Sequence, residues 1–320
     1  MPIPKGLSKS PFEINLPKDR WKPDIDTDKK NDQQYYAPFV ERIREEIFEW
    51  RQFSYDGVSE TSKALLNYWF NTPHESGFRY YFGQRESVES IIFLYEKLNV
   101  RENKDLLKLD SWGLSKNFIN DTWLRFVLKQ ATGTGKTKVL MLLIAWSYFH
   151  KEYESESSLS KNFLLISPNT IVLDRLKKDI DGLKVFYEDP IVPFNGYSEK
   201  NWNFVPTVHV QDEIGKITSN GNIFLTNIQR FANRKQDKID KQFTDYFLGS
   251  SPVKETLDNK IRVKNIINKL DDLIVLNDEA HHIHEDNAWK RAIEDIDNSL
   301  IQKGKKLNLQ IDVTATPKHK

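Results

Sequence analysis

The sequence predicts an α/β domain, in which helices flank a parallel sheet, preceded by a mainly helical extension. Three observations lead to this prediction. Short continuous apolar runs alternate with segments of helical periodicity, as in parallel strands that are buried on both faces. A glycine-rich segment, Ala131–Thr137, separates one such run from a helix. An acidic pair, Asp278 and Glu279, follows another run at the strand end where α/β sheets bind ligands.

Composition places the chain among folded globular proteins. Hydrophobic residues make up 38% of the 320 residues and charged residues 29%, which suits a sizeable buried core. Cysteine is absent, so disulfides, zinc-cysteine sites and thiol catalysis are excluded. The formal net charge of +1 neither indicates nor excludes a nucleic-acid partner, because a local basic or amide-lined groove can bind phosphates.

No segment predicts secretion or membrane insertion. The N-terminus has mixed polar sequence in place of an apolar signal-peptide core. The longest apolar run, Val139 to Tyr148, is far shorter than the ~20 residues that a membrane helix needs. We therefore expect a cytoplasmic protein without a membrane partner.

Residues 1–75 predict an N-terminal extension. The first 35 residues are rich in Pro, Lys and Asp and have little apolar periodicity, which indicates an extended arm. Apolar side chains then recur at helical spacing over Ala37–Phe53 and over Thr61–Phe70. A stronger helical pattern over Gln84–Leu98 lies near the start of the second predicted domain, residues 76–320.

Within residues 76–320, strands and helices alternate. Helices are predicted at about Lys136–Phe149 and after Pro168, and the charged stretch Arg230–Asp272 predicts a helical insertion. The predicted strands are the short apolar runs Leu124–Leu128, Phe163–Ile166, Val208–Val210, Ile223–Thr226, Leu273–Leu276 and Leu309–Val313. This order favours a parallel sheet covered on both faces.

The glycine-rich segment predicts a phosphate-binding loop made of Ala131, Thr132, Gly133, Thr134, Gly135, Lys136 and Thr137. A strand that turns through glycines into a helix aims backbone N–H groups and the positive end of the helix dipole at an anion. Lys136 would reach the β- and γ-phosphates, and the Thr137 hydroxyl would bind Mg²⁺. Gln130 stands where the pattern G-x-x-x-x-G-K-[ST] has its first glycine.

The acidic strand end predicts the metal and the base of the same site. Asp278 would hold Mg²⁺, and Glu279 would orient and deprotonate the water that attacks the γ-phosphate. His281 follows at a spacing that could couple the site to a neighbouring segment. The alternative is an ordinary acidic strand end. A zinc site is not predicted, because the pattern H-E-x-x-H and a third ligand are both absent from this region.

Three segments in a fixed order carry a family resemblance: Ala131–Thr137, Asp278–His281 and Thr314–Pro317. They resemble superfamily 2 helicases and translocases, most of all the restriction (res) subunit of type III restriction enzymes and its DEAD/DEAH-box relatives. The resemblance covers about residues 76 to 320. It implies a RecA-like P-loop lobe that binds ATP and Mg²⁺ and hydrolyses ATP to move along nucleic acid.

The same resemblance extends to shorter segments. Phe82–Glu86 is similar to a segment whose glutamine reads the adenine edge, here Gln84. Further matches imply nucleic-acid contacts and a coupling segment, formed respectively by Pro168, Asn169, Thr226 and Asn227, and by Thr314 and Thr316. Two simpler readings stay open: Gln84 as an exposed residue at a helix start, and Pro168-Asn169 as a helix start only.

The resemblance predicts the ATP-binding lobe of an ATP-dependent DNA translocase of the restriction type, with sequence-independent DNA and a modification subunit as partners. The family's second RecA-like lobe, with its arginine finger, and its nuclease domain have no counterpart in these 320 residues. We therefore expect the isolated chain to be weakly active or inactive and not to cleave DNA. The alternatives are a non-motor nucleotide-binding interaction module and a repair or RNA helicase lobe.

Overall fold

The structure of the protein is a computed structural model that describes residues 10–19, 38–112, 122–168, 170–210, 216–227, 270–278 and 288–315. Its centre is a sheet of six strands: β1 (Arg125–Lys129), β2 (Asn162–Ser167), β3 (Thr207–Val210), β4 (Asn222–Asn227), β5 (Ile274–Asp278) and β6 (Leu309–Thr314). All the pairings are parallel, and the order is β1-β6-β5-β2-β4-β3. The predicted fold class is confirmed, and each strand lies within two residues of its predicted range.

Because every strand runs in the same direction, the carboxyl ends of all six lie at one edge of the sheet. Lys129 is in register with Thr314, and Asp278 is in register with the residue before Thr314. At the same level, Ser167 of β2 pairs with Asn227 of β4. The segments singled out from the sequence therefore follow neighbouring strands at the same edge, as the ligand site of an α/β sheet requires.

Helices cover one face of the sheet in two layers. They are α1 (Pro38–Gln52), α2 (Glu60–Phe70), α3 (Phe82–Ile92), α4 (Lys136–Tyr153), α5 (Thr170–Ile180) and the short α6 (Lys184–Glu188). Every side chain of α4 from Val139 to His150 is buried, because α4 lies between the sheet and the N-terminal helices. Its near-continuous apolar sequence thus belongs to a core helix.

The N-terminal helices share a single apolar core with the sheet and α4. Glu89 of α3 accepts hydrogen bonds from Arg51 Nε at 2.8 Å and from the Tyr55 hydroxyl at 2.7 Å. Glu96, in a π-helical turn (Phe93–Lys97) that continues α3, accepts a bond from the Ser59 backbone N–H at 2.8 Å. The extension therefore packs as one unit with the lobe, and the division at residue 75 stays a prediction.

The helix predicted over Gln84–Leu98 begins two residues earlier, at Phe82. Tyr81 ends the preceding extended segment with φ −63° and ψ 146°, and its N–H donates to Gln84 Oε1 at 2.9 Å. The Phe82 N–H donates to the carbonyl of Pro11 at 2.8 Å, which holds part of the N-terminal arm against the start of this helix. The rest of the arm outside residues 10–19 is not among the described residues.

The other face of the sheet is covered by α7 (Ala288–Ile301). Ile293, Ile296 and Leu300 of this helix form a second apolar cluster with strand residues such as Leu164 and Val275. No helix was predicted here from the sequence. The predicted insertion at residues 230–272 lies outside the described residues except for its last three.

Of the helices in the described ranges, none combines the length and apolar character needed to cross a membrane.

Candidate nucleotide-binding site

The predicted phosphate loop connects β1 to α4 through two glycines in the left-handed backbone region. Gly133 has φ +80° and Gly135 has φ +78°, backbone conformations that L residues with a side chain rarely adopt. Gly135 is the N-cap of α4, and the loop is closed by a bond from the Thr134 hydroxyl to the Ala131 carbonyl at 2.7 Å. Lys136, the first residue of α4, is buried. The first turn of α4 thus opens from a compact glycine turn, the arrangement that binds phosphate.

Gln84 lies against this loop. Its Nε2 donates to the Thr134 carbonyl at 3.0 Å, and its Oε1 accepts from the Tyr81 N–H. The side chain is buried, so Gln84 is not exposed as the simpler reading expected, although it does lie at the start of α3, where its Oε1 caps the Tyr81 N–H. A Cβ placed on Gly135 would lie 2.3 Å from Gln84 Nε2. The glycine therefore permits the close approach of the glutamine amide.

Gln130 connects the loop to two other elements. Its N–H donates to the Thr314 carbonyl of β6 at 2.9 Å, and its side chain donates to the Ser87 hydroxyl of α3 at 2.7 Å. From the sequence, Gln130 was noted only because it stands where the phosphate-loop pattern has its first glycine. The structure shows that it is buried and that it joins α3, the phosphate loop and the end of β6.

Asp278 is the last residue of β5, and its side chain is buried. It lies on the same face of the sheet as Leu276, which packs into the core shared with α4, because alternate residues of a strand point to the same face. β5 and β1 are separated only by β6, so their carboxyl ends lie about 10 Å apart. Asp278 therefore faces the side on which Lys136 and Thr137 begin α4.

These side chains suit Mg²⁺. Carboxylate and hydroxyl oxygens are the hard ligands that this ion prefers, and in nucleotide sites one or two protein ligands act together with phosphate oxygens. Asp278 and Thr137 supply that donor set. Within the described ranges, no three or more His, Asp or Glu side chains form a cluster that could hold a metal ion.

On the opposite face, a polar network joins the three strands that carry the motifs. Asp312 of β6 accepts from Arg125 Nε of β1 at 2.7 Å and from Gln310 Nε2 at 2.8 Å. The Asn277 side-chain amide of β5 donates to the same carboxylate. Asn277 directly precedes Asp278, so the network fixes β1, β6 and β5 relative to one another immediately behind the site.

The predicted nucleic-acid residues lie at the expected edge, but the described side chains there are buried. Thr226 is 1% exposed and Asn227 is 2% exposed; Thr226 Oγ1 and Asn227 Oδ1 form no hydrogen bond with any other described residue. Pro168 is also buried, whereas Thr170, the first residue of α5, is exposed. Thr170 was not predicted from the sequence; its position just after Pro168 at a helix start was the available signal.

Four predicted site residues lie outside the described residues: Asn169, Glu279, His281 and Thr316. Thr314 is described and buried at the end of β6. One charged residue was not anticipated: Lys138, in the first turn of α4, forms an ion pair with Asp189, in the segment between α6 and β3. The sequence contained no signal for this pairing, since the two residues are 51 positions apart (189 − 138).

The sequence model of the family described as "Type III restriction enzyme, res subunit" matches residues 76–319. No curated protein and no solved structure matches the chain significantly.

Proposed function

Because the chain belongs to the family of type III restriction enzyme res subunits, we propose that it is the ATP-binding lobe of an ATP-dependent DNA translocase. Membership makes residues 76–319 the N-terminal lobe of a superfamily 2 helicase-type protein. The finer proposal is that this lobe hydrolyses ATP and couples hydrolysis to movement along DNA. The observation that carries it is the glycine turn before Lys136, placed at the same sheet edge as Asp278.

In this proposal each residue has a chemical role. Backbone N–H groups of the loop and the ammonium of Lys136 bind the β- and γ-phosphates, while Thr137 and Asp278 hold the Mg²⁺ that neutralises their charge. Glu279 orients the attacking water and takes its proton. Gln84 recognises the adenine edge, since an amide can accept from the exocyclic amine and donate to N7.

We further propose that sequence-independent contacts to DNA phosphates form along the ends of β2 and β4. Pro168, Asn169, Thr226 and Asn227 are the residues assigned to this contact. Since the described side chains are buried, backbone groups and the exposed Thr170 would make the direct contacts. Such contacts position a strand without reading its bases. His281, Thr314 and Thr316 would transmit the state of the nucleotide to this surface.

The test of the ATP site is Lys136→Ala. Removing the ammonium removes a charge-assisted bond to phosphate, so we expect ATP affinity to fall by at least about tenfold, which is roughly 1.4 kcal/mol. Lys151→Ala is the matched control, because Lys151 lies in the same helix about 22 Å away. Titration calorimetry with ATP and Mg²⁺ measures both. Equal affinities for Lys136→Ala and the unaltered chain would refute the assignment of the phosphate loop.

A second measurement separates a translocase from its alternatives. A translocase lobe predicts ATP hydrolysis that rises with duplex DNA and falls again as salt increases, because phosphate contacts release counterions. Stimulation by RNA alone would favour an RNA helicase lobe. Nucleotide binding without any measurable binding of DNA or RNA would favour a non-motor interaction module.

A further inference from the structure

Gln130 occupies a position that the phosphate-loop pattern gives to glycine, and its side chain points away from solvent. It is 7% exposed. Nε2 donates to the Ser87 hydroxyl at 2.7 Å and to the Gly83 carbonyl at 3.2 Å. Ser87 in turn donates to the same Gly83 carbonyl at 2.7 Å. These three bonds form a closed set at the first two turns of α3.

Gln84, the proposed reader of the nucleobase, lies inside this set. It follows Gly83 directly, and its own amide donates to Thr134 in the phosphate loop. The start of α3 is therefore tied to the loop at two points, through Gln130 at the end of β1 and through Thr134 four residues later. Removing the Gln130 bonds would leave one of these two ties, the bond from the Gln84 amide to Thr134.

The capacity of the Gln84 amide leaves room for a ligand. A primary amide has two donors and two acceptor sites. The bonds to Thr134 and to Tyr81 use one donor and one acceptor. One of each remains, which is the complement of the N6 amine and N7 of adenine. Guanine offers an acceptor where adenine offers the amine, so a correctly placed amide discriminates between them.

We propose that Gln130 is a positioning residue for nucleobase selection: it holds the start of α3 so that Gln84 meets the base at a fixed distance from the phosphates. This inference rests on the proposed nucleotide site. Phosphates bind the loop and the base binds α3, so the spacing between these two elements decides whether a nucleotide can satisfy both. Recognition of this kind tolerates displacements of only about 0.5 Å.

The chemistry of Gln130 argues against a packing role. Its Oε1 is buried and makes no hydrogen bond within the described ranges, and leaving a buried acceptor unpaired is unfavourable. Methionine has a similar shape and would avoid that penalty. Glutamine is therefore favoured at this position because its Nε2 donates hydrogen bonds to Ser87 and Gly83 of α3.

The experiment compares three ligands with Gln130→Met: ATP, GTP and inorganic tripolyphosphate, by titration calorimetry in Mg²⁺. The unaltered chain should prefer ATP over GTP. In the variant, ATP affinity should fall roughly tenfold, as for one lost hydrogen-bonding pair. Tripolyphosphate affinity should change less than about twofold, because the phosphate loop itself is retained.

Two serines of α3 supply matched variants. Ser87→Ala removes the acceptor of the 2.7 Å bond and should reduce the ATP preference in the same direction as Gln130→Met. Ser90→Ala removes a similar hydroxyl, which donates to the Glu86 carbonyl at 2.6 Å and does not contact Gln130. It should leave all three affinities unchanged. If Gln130→Met does not fold, Ser87→Ala decides the question.

The outcomes separate the inference from the proposed function. Equal losses for ATP, GTP and tripolyphosphate would show a general distortion of the loop and overturn the positioning role. An unchanged ATP preference in both Gln130→Met and Ser87→Ala would also overturn it, as would the absence of any such preference in the unaltered chain. An unaltered chain that binds neither ATP nor tripolyphosphate would refute the nucleotide site itself.

Discussion

Replacement of Glu89 by glutamine should destabilise the whole chain. Glu89 of α3 is fully buried and lies between Arg51 at the end of α1, Arg85 of α3 and the hydroxyl of Tyr55. The side chain of Arg51 is 4% exposed and that of Arg85 is 14% exposed. Burial, with the charge and hydrogen bond of Glu89, raises the pKa of Tyr55 well above its usual range, so the phenol stays a donor.

The magnitude follows from the charges that remain. Glu89→Gln keeps the shape of the side chain, so no cavity forms, but Arg51 and Arg85 lose the buried carboxylate that pairs with both, and Arg51 keeps only a 3.9 Å contact with Glu86. Removing one partner of a buried ion pair costs about 3–5 kcal/mol. Total stabilities are about 5–15 kcal/mol, so the expected loss is a large fraction. Because α1 shares its core with the sheet, the loss should appear in the global unfolding transition.

Urea unfolding followed by tryptophan fluorescence measures this loss, since Trp50 lies 4.9 Å from the ring of Tyr55. The control is Glu45→Gln, which removes a 3.5 Å ion pair with Arg42 whose side chains are half exposed. That exposed pair should contribute less than about 1 kcal/mol. A loss for Glu89→Gln no larger than that of the control would refute the claim that the buried carboxylate holds α1 to α3.

Two further predictions concern pH and the phosphate loop. Burial alone would raise the pKa of Glu96, but the hydrogen bond and charge of His150 and neighbouring donors lower it below its ordinary value of 4.5. A lowered folded-state pKa contributes stability above pH 4.5 that is lost as pH falls toward the folded-state value. Glu96→Gln should remove this part of the pH dependence of stability, measured as the urea midpoint at several pH values. An unchanged pH dependence in the variant would contradict this role of Glu96. Gly135→Ala should reduce the preference for ATP over GTP, measured by calorimetry, more than Gly133→Ala does. Both residues have positive φ, but only a Cβ at Gly135 would displace Gln84. Equal effects of the two variants would show that backbone strain alone is responsible.

Several features of the protein were predictable because they depend on neighbouring residues in the chain. Continuous apolar runs between helical patterns identified all six strands of the described sheet, and a glycine turn before a helical segment identified the loop between β1 and α4 and the start of α4. The parallel direction of the strands followed from the helices between them. Since parallel strands share one carboxyl edge, the placement of Lys136 and Asp278 at the same edge also followed.

The strand order and the buried polar contacts depended on tertiary structure. The sequence predicts β6 as an apolar strand, yet its polar residues Gln310 and Asp312 are buried. Gln310 accepts a hydrogen bond from Trp123, and Asp312 accepts from Arg125 and Asn277. A polar residue at alternate positions gives the same pattern whether it faces solvent or a buried partner, so the sequence cannot distinguish the two.

Gln130 is likewise a polar residue whose buried partners the sequence does not reveal; in the sequence it only stands where the phosphate-loop pattern has a glycine. Its partners Gly83 and Ser87 are more than 40 residues away in the chain, and only the packing of α3 on the phosphate loop brings them within hydrogen-bond distance. Local pattern thus determined which segments are predicted to bind phosphates. Tertiary contacts decided how those segments are held relative to one another, because the two partners of each contact are far apart in the chain and meet only in the folded protein.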